Sequence, residues 1–191
     1  LFGRDGPDGD HRTLQRKGLQ NQDTFLTLLK VASRNYRTWV VAMLYGASFG
    51  IELTVLNYIH TYFHDVFDIR KLTAGYYAST FGLMNVFARA FGGLGSDYAS
   101  RRYGMKGRLW VWFILLLGEG AFCIALGRSD HSLGATITFC VLFSCCVQAA
   151  NGACYGVVPF ISKRSLGVVS GFVGAGGSAG SIITQLAFFR P

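Results

Sequence analysis

From about residue 36 onward, long apolar segments alternate with short polar ones along the chain. Five apolar segments lie at roughly 38–59, 72–93, 109–127, 133–157 and 166–189. Each has about 20 residues or more, the length at which an α-helix crosses the hydrocarbon core of a bilayer. Helices also satisfy their own backbone hydrogen bonds, as lipid requires. The pattern predicts an all-α fold, a polytopic membrane helix bundle with about five transmembrane helices.

Residues 1–35 are polar and show no sustained hydrophobic period, so we expect a loop or connector there. The chain begins at Leu1 rather than Met and ends at Pro191, directly after an apolar segment. We expect a piece of a longer membrane protein built from two six-helix halves. Residues 1–35 would be its cytoplasmic central loop. Residues 36–191 would be its C-terminal half, truncated before the last helix.

The basic residues gather in three polar connections. Cytoplasmic connections carry an excess of Lys and Arg, so these three are predicted to be cytoplasmic. The same distribution explains the net charge of +8 without a nucleic-acid partner, since the aromatic residues lie in the apolar segments rather than beside a basic face. The basic residues before the first, after the second and after the fourth segment are Arg12, Arg16, Lys17, Lys30, Arg34 and Arg37; Arg101, Arg102, Lys106 and Arg108; and Lys163 and Arg164.

The sequence offers no pattern typical of a catalytic or cofactor centre. The cysteines all lie in apolar segments, where cysteine behaves as a small hydrophobe, so neither a disulfide nor a metal framework is expected. His60 and His64 stand one helical turn apart beside Asp65 and could hold a metal, but polar residues are expected at that segment end anyway. A membrane oxidoreductase is therefore disfavoured, and we expect neither an enzyme nor a cofactor.

Three ionisable side chains fall inside the apolar segments: Glu52, Arg89 and Glu119. Charge at membrane depth is unfavourable unless it is paired or hydrated, so each is a functional candidate. Arg89 offers a planar fork of donors that suits an oxyanion in a central cavity. The alternative is that Arg89 snorkels to the cytoplasmic headgroups. Tyr45 could present its ring and hydroxyl to such a cavity, or it could simply pack.

The two acidic residues have different expected roles. Glu52, near the middle of the first apolar segment, is a candidate proton carrier, and its alternative role is to pair with a cation on another helix. Glu119 is flanked by Gly118 and Gly120, which fits close helix contact, so its expected role is mainly structural.

The stretch "GGLGSDYASRRYGMKGR" places Gly93, Asp97 and Arg101 at intervals of four residues. On a helix these positions share a face, so Asp97 can pair with basic groups of a neighbouring helix and hold a cytoplasmic gate closed. A solvated charged turn is the alternative interpretation.

The stretch "GFVGAGGSAG" from Gly171 to Gly180 approaches the dinucleotide-binding fingerprint. A basic turn precedes it where that fingerprint needs a buried strand, and no acidic residue follows it. Its small residues recur at helical spacing, which predicts a face on which helices approach closely.

These stretches together resemble a known family. "GGLGSDYASRRYGMKGR" resembles the cytoplasmic Gly-x-x-x-Asp motif of the major facilitator superfamily. "FGLMNVFARAFGG", "GMKGRLWVWFILL" and "VQAANGACYGVVPFISKRSLGVVSGFVGAGGSAGSIITQLAFF" are similar to the nitrate/nitrite porter family of plants and algae. The likeness covers nearly all of residues 36–189.

That resemblance implies a proton-coupled nitrate importer of the plasma membrane that serves nitrate assimilation. Arg89 matches the arginine that the second half of the family contributes to its anion site, and Tyr45 matches a lining aromatic. Ser178 stands where many members have Asn. The expected partners are nitrate, protons and the lipid bilayer, with room for an accessory membrane protein; a carrier of nitrite or another small anion, and a nitrate sensor, are the alternatives. The family's glycine signature adds Gly174, Gly176, Gly177, Ser178 and Gly180 as substrate-binding candidates.

Overall fold

A computed structural model describes residues 24–162 and 164–188 of the chain, and their regular structure is helical. This confirms the predicted all-α bundle. Most of the predicted loop, residues 1–23, lies outside the described residues. The helices are α1 (Phe25–Arg34), α2 (Tyr36–Phe67), α3 (Lys71–Gly127), α4 (Leu133–Val157), followed by a 3-10 turn (Val158–Phe160), and α5 (Leu166–Phe188).

Helix α1 lies where the sequence predicted only a loop. Its ten residues are amphipathic, with Ala32 buried and Phe25 exposed. The helix is held to α2 by the Trp39 Nε1–H, which donates to the Ser33 carbonyl at 2.7 Å. Asn35 separates the two helices and caps α2, because its side chain accepts a hydrogen bond from the next helix's first turn. A helix of only ten residues has too few turns for its hydrophobic period to be recognised within a mostly polar segment.

Four of the described elements are long and apolar enough to cross a membrane: Tyr36–Phe67, Lys71–Gly127, Leu133–Phe160 and Leu166–Phe188. As a straight rod, the 57 residues of α3 would extend about 85 Å, far beyond a hydrocarbon core of about 30 Å. The helix is instead broken at Gly104, whose φ of 62° and ψ of −149° suit a residue without a Cβ. We name residues 71–103 the first limb of α3 and residues 105–127 its second limb.

The chain reverses direction at Gly104. The Asp97 Oδ1 and Arg108 Nη2 atoms are 2.6 Å apart, although eleven positions along a straight helix would separate their backbones by about 16 Å. A Cβ on Gly107 would likewise lie 2.5 Å from the Ala99 carbonyl oxygen. The two limbs therefore form a helical hairpin, and they correspond to two of the five predicted apolar segments.

Helices α2 and α5 run in the same direction side by side. Near their start, the rings of Trp39 and Phe172 lie 5.3 Å apart. Further along both helices, the Thr54 and Thr184 hydroxyls are 2.9 Å apart. The backbones touch because glycines face each other, and a Cβ on Gly180 would overlap the backbone of α2.

The first limb of α3 and α4 form a second parallel pair. The Phe81 carbonyl accepts hydrogen bonds from Ser144 Oγ at 2.8 Å and Gln148 Nε2 at 3.0 Å. Eleven residues after Phe81, a Cβ on Gly92 would overlap the Ala149 backbone. Cross-helix hydrogen bonds and bare glycine contacts are the interactions by which helices associate in lipid.

The three basic connections meet at one end of the bundle. Asn35 Nδ2 donates to the Ile161 carbonyl at 3.4 Å, which joins the start of α2 to the α4–α5 connection. Arg108, beside the Gly104 reversal, donates to the Gly156 carbonyl at 3.2 Å. We name this the basic end; its composition agrees with the alternation of charge predicted from the sequence.

At the opposite end, two histidines secure the turn between α2 and α3. His60 Nε2 lies 3.1 Å from the Lys71 carbonyl oxygen, and His64 Nδ1 lies 2.7 Å from that of Ile69. A carbonyl only accepts, so each ring nitrogen donates. Asp68 in this turn adopts a left-handed conformation, which a short polar residue tolerates.

The buried apolar residues form two clusters, one near each end of the bundle. The cluster at the basic end includes Val41, Trp112, Val157, Val169 and Val173. The cluster at the far end includes Phe63, Phe81, Leu126, Phe143 and Val147. The helical positions between the two clusters carry polar side chains.

Candidate functional site

Glu52 of α2 is the centre of a polar network between the two apolar clusters. Its Oε2 accepts hydrogen bonds from Arg89 Nη2 on the first limb, at 3.2 Å, and from Asn151 Nδ2 on α4, at 2.5 Å. Glu52 is 3% exposed and Asn151 is 1% exposed, so both lie away from solvent. The buried carboxylate is stabilised by one charged and one neutral donor.

The network continues from Asn151 to the second limb of α3. Ser48 Oγ donates to Glu119 Oε2 at 2.7 Å and lies 3.4 Å from Asn151 Oδ1. The three ionisable residues that the sequence singled out, one from each of three spans, are therefore brought into one connected site. Two uncharged residues, Ser48 and Asn151, join them.

Arg89 is the part of the network that reaches a surface. Its side chain is 35% exposed, whereas the side chain of its partner Glu52 is 4% exposed. Its Nη2 is directed at Glu52, near the middle of α2, which disfavours the snorkelling alternative. The Nε–H is buried and has no hydrogen-bond partner among the described residues. The guanidinium thus retains donors that Glu52 does not use.

Gly152 determines where the Arg89 backbone can lie. A Cβ at Gly152 would overlap the Arg89 carbonyl oxygen. The absence of a side chain lets the first limb approach α4 closely enough for Arg89 to reach Glu52. Asn151 and Gly152, two adjacent residues of α4, therefore position the two members of the ion pair.

Tyr45 lies one turn from Ser48, in the apolar cluster at the basic end. It is 4% exposed, and its ring stacks on Phe49 and meets Tyr155 edge-on, both at 5.3 Å. Tyr45 is therefore a buried residue that packs against other aromatic side chains. Its contact with a substrate stays a prediction.

The glycine-rich stretch lies within helix α5, not in a loop. Gly176 and Gly180 face the α2 backbone, and a Cβ on Gly177 would lie 2.7 Å from the Tyr45 ring. A Cβ on Gly174 would lie 3.9 Å from the Tyr155 hydroxyl oxygen. Ser178 is exposed, and its hydroxyl donates to the carbonyl of Gly174 at 3.5 Å. The stretch is a helix-packing surface; a substrate contact by these residues stays a prediction.

Comparison with known proteins places this arrangement in a family. The sequence model of the Major Facilitator Superfamily matches residues 1–185. The chain belongs to that superfamily. It is accordingly a multi-pass membrane protein, as its apolar helices indicate.

Relatives of this major facilitator chain include nitrate transporters. It is 48% identical to high-affinity nitrate transporter 2.3 of Oryza sativa subsp. japonica over 99% of the chain and 37% of the relative. It is 49% identical to high affinity nitrate transporter 2.5 of Arabidopsis thaliana over 100% of the chain and 38% of the relative. It is 46% identical to nitrate transporter 2.2 of Chlamydomonas reinhardtii over 99% of the chain and 37% of the relative.

These identities confirm the resemblance to the nitrate/nitrite porter family. The chain spans a little over a third of the length of these curated relatives. No solved structure gives a significant match.

The Gly-x-x-x-Asp motif of this major facilitator chain forms a specific clasp. Asp97 pairs with Arg108, which also donates to the α4 backbone and lies over the Phe160 ring at 4.9 Å. Arg101 is exposed, and a Cβ on Gly93 would touch only the Gly152 carbonyl, at 3.9 Å. The clasp joins both limbs of α3 to the end of α4. Its role as a gate, with Gly93 and Arg101, stays a prediction.

Asp97→Asn is expected to lower the free energy of unfolding by about 1 kcal/mol, since Asp97 is half exposed and its ion pair is screened. Arg108→Ala should have a larger effect, about 3 kcal/mol, because it also removes a hydrogen bond and a cation–π contact. Thermal unfolding of the purified proteins measures both. Equal effects of the two substitutions would show that Arg108 has no role beyond its pairing with Asp97.

No sequence pattern marked Ser48, Asn151 or Arg108 as members of the polar contacts. A neutral polar residue in a span carries no charge to mark it, and Arg108 looked like one of several topology signals. A search for Asn and Gln at membrane depth would have found Asn151, since a buried amide also needs partners.

Proposed function

We propose that the protein containing this chain imports nitrate across the plasma membrane together with protons, by alternating access, for nitrate assimilation. The observation that carries the proposal is the identity of 46–49% with nitrate transporters over nearly the whole chain. The partly exposed guanidinium of Arg89 supports it, because this group can form bidentate, charge-assisted hydrogen bonds with a small planar anion.

In the proposed cycle, nitrate binds the accessible edge of Arg89 beside Glu52. The anion adds a negative charge next to a buried carboxylate, so binding is favourable only if a proton or a second cation accompanies it. An arginine from the other half of the protein would supply the cation, and a co-transported proton would offset the remaining charge. The sequence suggested Glu52 as a candidate for carrying this proton.

The packing of the parallel helix pairs bears on how the helices move during the proposed cycle. Between α2 and α5, the contacts at Gly46, Gly176 and Gly180 are made mainly by backbone atoms. The helices can therefore shift along one another as the halves of the protein rock, which requires the Thr54–Thr184 hydrogen bond to break. The Asp97–Arg108 clasp at the basic end would stabilise the hairpin during that motion. An accessory membrane protein would bind a surface of the complete transporter.

Uptake of isotope-labelled nitrate tests the proposal. The full-length protein is expressed in oocytes, and uptake and current are measured at a fixed voltage in mildly acidic and mildly alkaline medium. Nitrate-dependent inward current that is larger in acid is expected. Surface-localised protein without nitrate uptake would contradict the proposal, and nitrite uptake in its place would assign a different anion to the site.

A further inference from the structure

Glu119 is a buried acid to which the proposed cycle gives no role. It lies on the second limb of α3, within a helix long and apolar enough to cross a membrane, and is 5% exposed. The expected structural explanation accounts for only part of its setting: Gly118 faces the Cys146 thiol, whereas no described atom lies within 4 Å of a Cβ placed on Gly120. Glu119 is instead connected by hydrogen bonds to the Arg89–Glu52 pair.

The Ser48 hydroxyl has two acceptors but one hydrogen. It is 2.7 Å from Glu119 Oε2 and 3.4 Å from Asn151 Oδ1. When Glu119 is ionised, the Ser48 hydrogen is directed at its carboxylate. When Glu119 is protonated, the carboxyl O–H donates to Ser48 Oγ, and the Ser48 hydrogen turns to Asn151. Each protonation state of Glu119 therefore corresponds to one orientation of Ser48.

When the Ser48 hydrogen is directed at Asn151, it affects the Arg89–Glu52 ion pair through the Asn151 amide. The amide of Asn151 donates to Glu52 Oε2 at 2.5 Å, and Glu52 accepts from Arg89. A hydrogen bond to the amide oxygen polarises the amide and strengthens its N–H as a donor. The protonation state of Glu119 is thus communicated to the carboxylate that competes with an anion for Arg89.

The balance of charge in the network also sets Glu119 apart from Glu52. The network contains two carboxyls, Glu52 and Glu119, but its one described cation, Arg89, pairs with Glu52, so ionisation of both carboxyls leaves a buried negative charge without a paired cation. An anion bound at Arg89 adds a further negative charge, which one proton on Glu119 offsets. Glu52 already accepts from a cation and an amide, whereas Glu119 accepts from a neutral hydroxyl.

We infer that Glu119, rather than Glu52, takes up and releases the proton that moves with the anion, with Ser48 as the switch between Glu119 and the Arg89–Glu52 pair. This inference rests on the proposed function. An aqueous proton forms an O–H bond at the Glu119 carboxylate when the anion binds, and that bond breaks when the anion leaves. By linkage, the proton raises anion affinity by the same factor as the anion raises proton affinity.

The titratable groups close to Glu119 come from three elements. Glu52 of α2 interacts with it electrostatically across Ser48 and Asn151. The other two are the Cys123 thiol on the same limb and the Cys146 thiol on α4. Arg89 lies beyond Glu52, so Glu52 separates it from Glu119.

Glu119→Gln tests the inference, because glutamine keeps the shape and the hydrogen bond to Ser48 but cannot titrate. The full-length variant is compared with the wild type in oocytes at fixed voltage. The ratio of nitrate uptake in acidic to that in alkaline medium should fall to about one, and intracellular acidification during uptake should disappear. Ser48→Ala retains the acid but removes the switch, so it should weaken the pH dependence while leaving the protein at the membrane.

The outcomes separate this inference from the proposed function. If the wild type moves no nitrate, the proposed function fails. If the wild type couples nitrate to protons and Glu119→Gln retains the full pH dependence, only the assignment of Glu119 fails. Loss of the pH dependence in Glu52→Gln but not in Glu119→Gln would overturn it in favour of Glu52.

Discussion

Arg89→Lys in the full-length protein is expected to lower nitrate uptake about 100-fold, which corresponds to roughly 2.7 kcal/mol of lost binding. Lysine keeps the charge and can still pair with Glu52, so the buried carboxylate is not left without a cation. The ammonium group cannot reproduce the planar fork that holds an anion by two hydrogen bonds at once. The loss should therefore appear in transport rather than in folding.

Isotope-labelled nitrate uptake, normalised to surface protein, measures this effect. Arg102→Lys is the matched control, since Arg102 is exposed near the Gly104 reversal and lies over the Tyr103 ring. That control should transport normally. Uptake by Arg89→Lys within a few-fold of the wild type would show that the fork does not hold the anion.

Gly180→Ala is expected to destabilise the bundle by about 3 kcal/mol, a large fraction of the total stability of a typical domain. The new Cβ would overlap the Gly46 carbonyl oxygen, and a backbone atom cannot move aside as a flexible side chain can. Helix α5 would have to move away from α2, which would break the hydrogen bond between Thr54 and Thr184. Surface expression should fall with the stability.

Gly171→Ala is the control for this substitution. It lies in the same glycine-rich stretch, but no described atom lies within 4 Å of its added Cβ. Its thermal unfolding in detergent should match that of the wild type. Similar losses in both variants would mean that glycine is needed along the stretch for a reason other than contact with α2.

The sequence predicted the spans and the ionisable residues but not the partners of those residues. Apolar length and the distribution of charge are local properties, so the five segments and the clustering of basic connections followed from them directly. That Glu52 faces Arg89 depends on how α2 packs against the first limb, and on the bare surface of Gly152. Contacts between residues far apart in sequence leave no local pattern.

Two expectations changed for physical reasons. Gly118 and Gly120 made Glu119 look like a packing residue, yet only Gly118 makes a close contact, and Glu119 joins the polar network through Ser48. The segment 25–34 was expected to be a loop, and it forms a helix because its few apolar residues recur at helical spacing and dock on α2 and α5.

The pairing of α2 with α5 also determines the order of assembly. Thr54 and Thr184, whose hydroxyls meet in the finished bundle, are 130 positions apart in the sequence. At a synthesis rate of about 5–20 residues per second, α2 leaves the ribosome on the order of ten seconds before its neighbour exists. The glycine-bearing face of α2 waits for its partner during that time, although α2 also packs on α3 and α4, which are made sooner. Of its contacts with α3, α4 and α5, the one with α5 is therefore the last that can form, and a pause in translation after α4 prolongs the wait.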